Sequence, residues 1–159
     1  MEDFGIEVRI ARYHNIYGPF GTFDGGREKA PAALCRKVIN SKLKNDKTID
    51  VWGDGKQTRS FCYVSDLITA LMMLMDSKIS GPINLGNPNE IKIEDLAYLI
   101  SNKINKKVDI HYKPALIDEP KERKPCIDLA KNVLNWQPSI DLDYGLDLTI
   151  KFYRKLIKA

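Results

Sequence analysis

Three cysteines and two histidines in 159 residues leave little material for metal chemistry or a disulfide framework. Cys35, Cys62 and Cys126 are odd in number and widely spaced, with no CxxC and no Cys/His cluster, so neither a structural zinc nor a set of bridges is expected. Reduced thiols in a cytosolic protein are the simplest account. His14 and His111 stand apart, each a packing or surface residue before it is a ligand. No apolar run approaches the roughly 20 residues that cross a bilayer. Met1 is followed by acidic Glu2 and Asp3, so no signal peptide is expected. No block of like charge occurs: the net charge is +4, with basic residues scattered among acidic ones. Without a basic helix or a recognition motif, nucleic acid is excluded as an expected partner. A mixed, solvated surface and a pocket for an anionic small molecule both remain. No repeat, low-complexity tract or linker is visible, and the length suits one ordinary domain or one large piece of a bigger one.

What the chain does have is concentrated between Arg12 and Lys37. An apolar run, Ile6 to Ile10, reads as a short strand with Ile6, Val8 and Ile10 on one face. A loop broken by Gly18, Pro19, Gly21, Gly25 and Gly26 follows. It enters a helix whose first turn carries Glu28, Lys29 and Pro31, proline being tolerated there because its missing N–H is an orphan anyway. Ala30, Ala33, Leu34 and Val38 recur at helical spacing and are expected to face the core. Strand, glycine-rich loop and charged helix start together make a ligand-facing edge. Lys29 sits where the helix dipole disfavours a cation, so an anion there is welcomed by dipole and lysine alike. That suits a residue that handles phosphate or exchanges a proton; a surface lysine paired with Glu28 is the plainer alternative.

Downstream, Ser41 to Asp50 is polar and reads as a loop. Gly53-Asp54-Gly55 is a turn signal between two short extended segments, Ile49 to Trp52 and Ser60 to Val64, so a hairpin is expected. Arg59 offers a planar fork that matches phosphate or carboxylate, although an arginine beside a turn is often simply solvated. Ser65 is a candidate cap for a helix whose Leu67 to Met75 stretch is apolar almost all round, so burial on more than one side is expected, with methionines as filler. Gly81-Pro82 ends it. Ile83 to Leu85 and Val108 to Tyr112 read as strands, with an amphipathic helix through Ile93, Leu96, Ala97, Ile100 and Ile104 between them. Lys113 to Pro125 is irregular, either a charged surface loop or a lid bringing Arg123 to an anion. Asp128 to Leu134 and Asp143 to Ile157 are helices. So few short strands are thin for a self-sufficient sheet.

Several stretches resemble one family when taken together. Arg12-Tyr13-His14-Asn15-Ile16-Tyr17-Gly18-Pro19 is similar to the R-x-x-N-x-Y-G-P element of the extended short-chain dehydrogenases. Trp52 to Phe61 with Val64-Ser65-Asp66 resembles their G-D-G-x-Q-x-R-x-F…V-x-D element. Asn84-Leu85-Gly86, Arg123 with Asp128, and Leu134-Asn135-Trp136-Gln137-Pro138 resemble the N-L/I-G, V-R…D and L-G-W-x-P elements. Gly25 to Ala33, with Phe4-Gly5-Ile6-Glu7, is similar more narrowly to the GDP-mannose 3,5-epimerase branch.

The resemblance implies an α/β fold. The chain would be the C-terminal part of a Rossmann-type protein, with a late Rossmann strand in residues 1–20 and a small α/β substrate-binding domain. It implies NAD as cofactor, a nucleotide sugar as ligand with a GDP-hexose favoured, no membrane or metal, and a homodimer for the full-length protein. It implies transient oxidation at sugar C4, proton removal and return beside the keto group, and re-reduction. Carried over by position, Lys29 is the catalytic proton exchanger. Asn15, Glu28, Lys29, Ala30, Lys37, Gln57, Thr58, Arg59 and Arg123 contact the substrate. Tyr13 and His14, at the end of the first strand, lie near the nicotinamide.

The departures are as informative. No G-x-x-G-x-x-G follows a strand, so no pyrophosphate cradle is expected in this chain. No Tyr-x-x-x-Lys pair precedes the first strand, and none of the three cysteines matches the family's catalytic cysteine. Lys92 stands where the family has a capping serine, and the Ser41 to Asp50 segment is longer than in the epimerase branch. The expectation is therefore the sugar-nucleotide half of an epimerase, inactive alone. A non-catalytic binding module or subunit, and a dehydratase or decarboxylase of UDP- or dTDP-sugars, are the alternatives.

Overall fold

A computed structural model describes residues 5–115 and 120–157. Met1 to Phe4, on which the expected absence of a leader rested, and residues 116–119 of the irregular Lys113–Pro125 stretch lie outside the described residues. In chain order the elements are β1 (Ile10–Tyr13), β2 (Ile16–Tyr17), α1 (Ala30–Lys44), β3 (Thr48–Trp52), β4 (Thr58–Ser60), β5 (Cys62–Tyr63) and α2 (Val64–Asp76). Then come β6 (Pro82–Leu85), β7 (Glu90–Lys92), α3 (Ile93–Ile104), β8 (Asp109–Lys113), β9 (Glu122–Arg123), α4 (Asp128–Leu134) and α5 (Leu142–Ile157).

The strands form small, mostly parallel units: β1 with β6, β2 with β5, and β3 with β8. The three-stranded unit has β4 in the centre, antiparallel to β7 and parallel to β9. Two apolar clusters hold these together. One joins α1, α3 and α5 to β3, through Val38, Ile39, Leu96, Ile100, Leu146 and Ile150. The other joins α2, α4 and β6, through Leu67, Leu74, Ile83, Leu85, Leu134 and Trp136. Three helices end on an asparagine in the left-handed region, Asn45, Asn105 and Asn135, whose short polar side chain tolerates that turn.

Several expectations are corrected. The first strand is Ile10–Tyr13 and not Ile6 to Ile10, because pairing with β6 begins only at Ile10↔Pro82; Ile6 is 66% exposed. The segment expected as a loop from Ser41 continues α1 to Lys44, and β3 begins at Thr48. Ser41 is buried there, its hydroxyl donating to the Asp46 carbonyl at 2.9 Å. Gly53-Asp54-Gly55 turns the chain but makes no hairpin: β3 goes to β8, while β4 goes to β7 and β9. Ser65 lies inside α2, whose N-cap is Tyr63 with no side-chain cap. That helix buries one side only; Ile68, Met72 and Met75 are exposed. The irregular Lys113–Pro125 stretch contains β9.

One contact explains the Tyr17-Gly18 pair. Tyr17 is buried, edge-on to Phe61 and Tyr63. Gly18 has φ +148°, and a Cβ there would lie 2.7 Å from Val64 Cγ1. Only glycine fits that approach. The loop carrying His14 and Asn15 is thereby pinned onto the start of α2.

Candidate functional site

At the carboxyl end of β1 the backbone turns sharply. The His14 N–H donates to the Leu85 carbonyl at 3.0 Å, and the Asn15 carbonyl accepts from the Cys62 N–H at 3.1 Å. Asn15 itself is left-handed, with φ +46°. Gly86 closes this corner. A Cβ on it would meet His14 Cβ at 2.8 Å and Pro125 Cγ at 2.9 Å, so glycine lets the chain leaving β9 come up beside His14. Burial holds the His14 imidazole below its ordinary pKa, and the charges of Arg123 and Lys29 push the same way. His14 thus feels two cations that the family resemblance was expected to place at a substrate site. Tyr13, beside it, is exposed.

A cavity of about 380 Å³ opens beside the first turn of α1. Glu28, Ala30, Lys37 and Gln57 line it, together with Asp50 and Trp52. Of the residues expected on the core face of α1, Ala33 lines this cavity instead, Ala30 and Leu34 both line it and pack on the core, and Val38 is core alone, beside Cys35 and Ile39. Glu28 is not paired with Lys29. Its carboxylate takes the Arg36 guanidinium at 2.5 Å, and Arg36 also donates to the Phe23 carbonyl at 2.7 Å. Burial raises the Glu28 pKa, but the backbone N–H groups beside the carboxylate and the Arg36 guanidinium bonded to Oε1 outweigh it and bring it below the ordinary value. Lys37 Nζ donates to the Asp50 carbonyl at 2.6 Å. Burial lowers its pKa; Asp50 and Glu28 oppose that, and Arg36 adds to it. Gln57 Nε2 donates to the Trp52 carbonyl at 2.7 Å.

On the three-stranded unit, Arg59 and Arg123 are register partners. Arg59 is 8% exposed, with Nη1 donating to the carbonyls of Thr58 at 2.7 Å and Lys121 at 3.4 Å. Arg123 is exposed. Thr58 Oγ1 donates to Glu90 Oε1 at 2.7 Å. Lys29 is exposed at the N-cap of α1, with φ −74° and ψ 157°, and gives the helix no side-chain cap.

The nine substrate candidates therefore fall into groups. Glu28, Ala30, Lys37 and Gln57 share the cavity. Thr58, Arg59 and Arg123 share the sheet. Asn15 is tied by its backbone to Cys62, just beyond that sheet's central strand. Lys29 and Arg123 are linked through the field at His14. Among the described residues, five buried side-chain polar atoms lack a hydrogen-bond partner: His14 Nδ1, Asn15 Nδ2, Glu28 Oε2, Gln57 Oε1 and Ser60 Oγ. Such atoms are rare and costly in folded proteins, and four of the five belong to residues singled out from sequence. Sequence reasoning missed Arg36, Asp50, Trp52 and Glu90. Arg36, two turns along α1 from Glu28, carried a spacing signal; Glu90 carried none.

Comparison with known proteins gives a family. The model described as "NAD dependent epimerase/dehydratase family" matches residues 1–86. GDP-mannose 3,5-epimerase of Arabidopsis thaliana is 40% identical over 157 residues, 99% of this chain and 40% of the relative. UDP-glucuronic acid decarboxylase 1 of Arabidopsis thaliana is 44% identical over 153 residues, 96% of this chain and 34% of the relative. UDP-glucuronic acid 4-epimerase from Bacillus cereus, solved with UDP-glucuronic acid and NAD, superimposes with a TM-score of 0.80 at 27% identity, over 97% of this chain and 47% of that one. UDP-glucose 4-epimerase from Thermotoga maritima gives 0.88 at 24% identity over 98% and 48%, a likeness of fold. The chain spans about 40% of the length of the first of these relatives.

Proposed function

The chain belongs to the NAD-dependent epimerase/dehydratase family, and we propose that it is the C-terminal, sugar-nucleotide-binding portion of a nucleotide-sugar epimerase that prefers a GDP-hexose such as GDP-mannose. The observation that carries this is the set of unpaired buried polar atoms on His14, Asn15, Glu28 and Gln57. A ligand with many hydroxyl and base-edge groups satisfies such atoms, and an empty apolar pocket does not. Around them, Arg59 and Arg123 supply forks for a diphosphate, and Trp52 an aromatic surface beside the cavity.

On this proposal Asn15, Glu28, Ala30, Lys37, Gln57 and Thr58 hold the nucleotide sugar, with Arg59 and Arg123 on its phosphates. Lys29 takes up or returns a proton on a carbon next to the sugar's keto group. Its position at a helix N-terminus also favours the negative charge that develops on the substrate in that step. The chemistry NAD supplies when bound is reversible hydride acceptance at C4. Tyr13 and His14 fit its nicotinamide end, since they stand at the carboxyl end of a parallel strand and His14 Nδ1 is buried without a partner. Its pyrophosphate end is not provided for among the described residues, because no G-x-x-G-x-x-G run follows a strand; the glycines between β2 and α1 are spaced differently. The chain by itself is therefore expected not to turn over. On the same proposal the assembled enzyme is a cytoplasmic homodimer, and the three free thiols suit a reducing compartment.

A second reading, a UDP-sugar decarboxylase, is favoured by the 44% identity of that relative. Titration of the chain with GDP-mannose and with UDP-glucuronic acid, followed through Trp52 fluorescence, separates the two. Tighter binding of GDP-mannose supports the epimerase reading; tighter binding of UDP-glucuronic acid replaces it. Steady epimerisation of GDP-mannose by the purified chain and NAD, at enzyme-like rates, would refute the inactivity of the chain alone.

A further inference from the structure

We propose that Glu90 is a positioning residue for Arg123, acting through a strap that crosses the central strand of the three-stranded unit; this rests on the reading that Arg123 contacts the ligand's phosphates. Strand β9 is two residues long and lies at an edge, paired only with β4 among the described residues. Its backbone hold is correspondingly small. Glu90 is on β7, the strand on the other side of β4, opposite Ser60. From there its two carboxylate oxygens take different partners. Oε1 accepts from Thr58 Oγ1 on β4 at 2.7 Å, and Oε2 pairs with Lys124 Nζ at 2.9 Å. Lys124 follows Arg123 directly. One carboxylate on β7 therefore reaches β4 and the residue that follows β9, next to the arginine that must be held.

The carboxylate is well placed for this. Its side chain is 21% exposed, against 56% for Lys124, so the acidic end of the strap is the fixed end. Hydrogen bonds from Thr58 and Lys124 hold the Glu90 pKa below its ordinary value, so it is ionised wherever the fold is intact near neutral pH. Beyond Lys124 the chain is held again, by Pro125 packed at Gly86 and by the Asn84 amide on the Cys126 carbonyl at 3.1 Å. The strap and this second anchor bracket Arg123 on its downstream side. A short edge strand fixed only by its ladder would leave the arginine's register with Arg59 loosely determined. A guanidinium rewards fixed geometry, because bidentate contact with a phosphate is lost on misplacement.

The test compares GDP with guanosine as ligands of the chain, by calorimetry, for Glu90→Gln, Lys124→Gln and Arg123→Ala singly and combined. Glu90→Gln and Lys124→Gln should each weaken GDP roughly three- to tenfold, the net worth of one ordinary hydrogen bond, and leave guanosine unchanged. In the Arg123→Ala background neither should have a further effect. Equal weakening of GDP and guanosine, or an undiminished effect without Arg123, overturns the inference. Arg123→Ala with unaltered GDP binding, or a parent chain that binds no GDP, overturns the reading on which it rests. Amide exchange in the ligand-free chain supplies a separate measure. Glu90→Ala should speed exchange at Glu122 and Arg123 several-fold and spare α3; no change at β9 would sink the proposal whatever the binding data.

Discussion

Arg59 and Arg123 stand side by side on adjacent parallel strands, in register with one another across β4 and β9. Adjacent strands lie about 4.8 Å apart, a spacing that two phosphates of one diphosphate can bridge. The two arginines are not equivalent, because Arg59 is buried and hydrogen-bonded to two carbonyls whereas Arg123 is exposed. Arg123→Lys keeps the charge and removes the fork. It should weaken GDP binding about tenfold without changing thermal stability. Calorimetry with GDP and a melting curve of the same protein decide it. Unaltered affinity would mean that a point charge suffices and that the fork has no role.

Lys29 occupies the N-cap of α1 without capping it. Replacement by serine places a hydroxyl where it can accept from the orphan N–H groups of the first turn. Lys29→Ser should therefore stabilise the chain by about 0.5–1 kcal/mol. On the proposed role, the same change should abolish solvent-deuterium incorporation into the sugar in an assembly that holds NAD. Stability gained and exchange lost is the pattern of a residue retained for chemistry. Retention of deuterium incorporation in the variant would remove Lys29 from the catalytic role.

His14 links stability to pH in a direction that can be stated. Its folded-state pKa lies below 6.5, first through burial and then through Arg123 and Lys29. Above pH 6.5 the imidazole is neutral in both states and contributes nothing. As pH falls below 6.5 the unfolded chain takes up the proton first, and stability is lost until pH passes the folded-state value. His14→Gln should therefore be more stable than the parent at pH 5 relative to pH 8. A bound diphosphate offsets the two cations, so GDP should move the His14 titration, read from its ring proton resonances, to higher pH. A shift to lower pH on adding GDP would contradict the placement of phosphates near Arg123.

Asp66 belongs to the motif that follows Arg59, yet its role is structural. Its carboxylate accepts from Ser139 Oγ at 2.8 Å, the Ser139 N–H at 3.1 Å and the Ile140 N–H at 2.9 Å. It ties the start of α2 to the segment after Trp136, whose indole N–H donates to the Asp66 carbonyl at 3.2 Å. Asp66→Ala removes a buried carboxylate that accepts three hydrogen bonds and should cost about 2–4 kcal/mol, measured by urea unfolding. A loss below about 0.5 kcal/mol would show that the segment finds other acceptors.

The sequence by itself determined most of the helices and the residue types gathered along the edge. Strong 3.6-residue patterns gave α3 and α5, and α4 is bounded at the residues its pattern indicates, whereas the end of α1 was not legible and lies beyond the Ser41 at which a loop was expected. The motif residues likewise led to four of the atoms that are buried without partners, because a polar group and its local turn are encoded within a few neighbouring positions. Pairing was decided only by the tertiary structure. The alternation at Ile6 to Ile10 does not say where a partner strand begins, and Gly53-Asp54-Gly55 does not say that the strands on either side diverge to different neighbours. Whether Ala33 faces core or cavity, and whether Glu28 pairs with Lys29 or Arg36, depends on what packs from elsewhere in the chain. The same is true of the Glu90 strap, which joins residues 32 to 34 positions apart in sequence: no local pattern specifies a contact made across a strand.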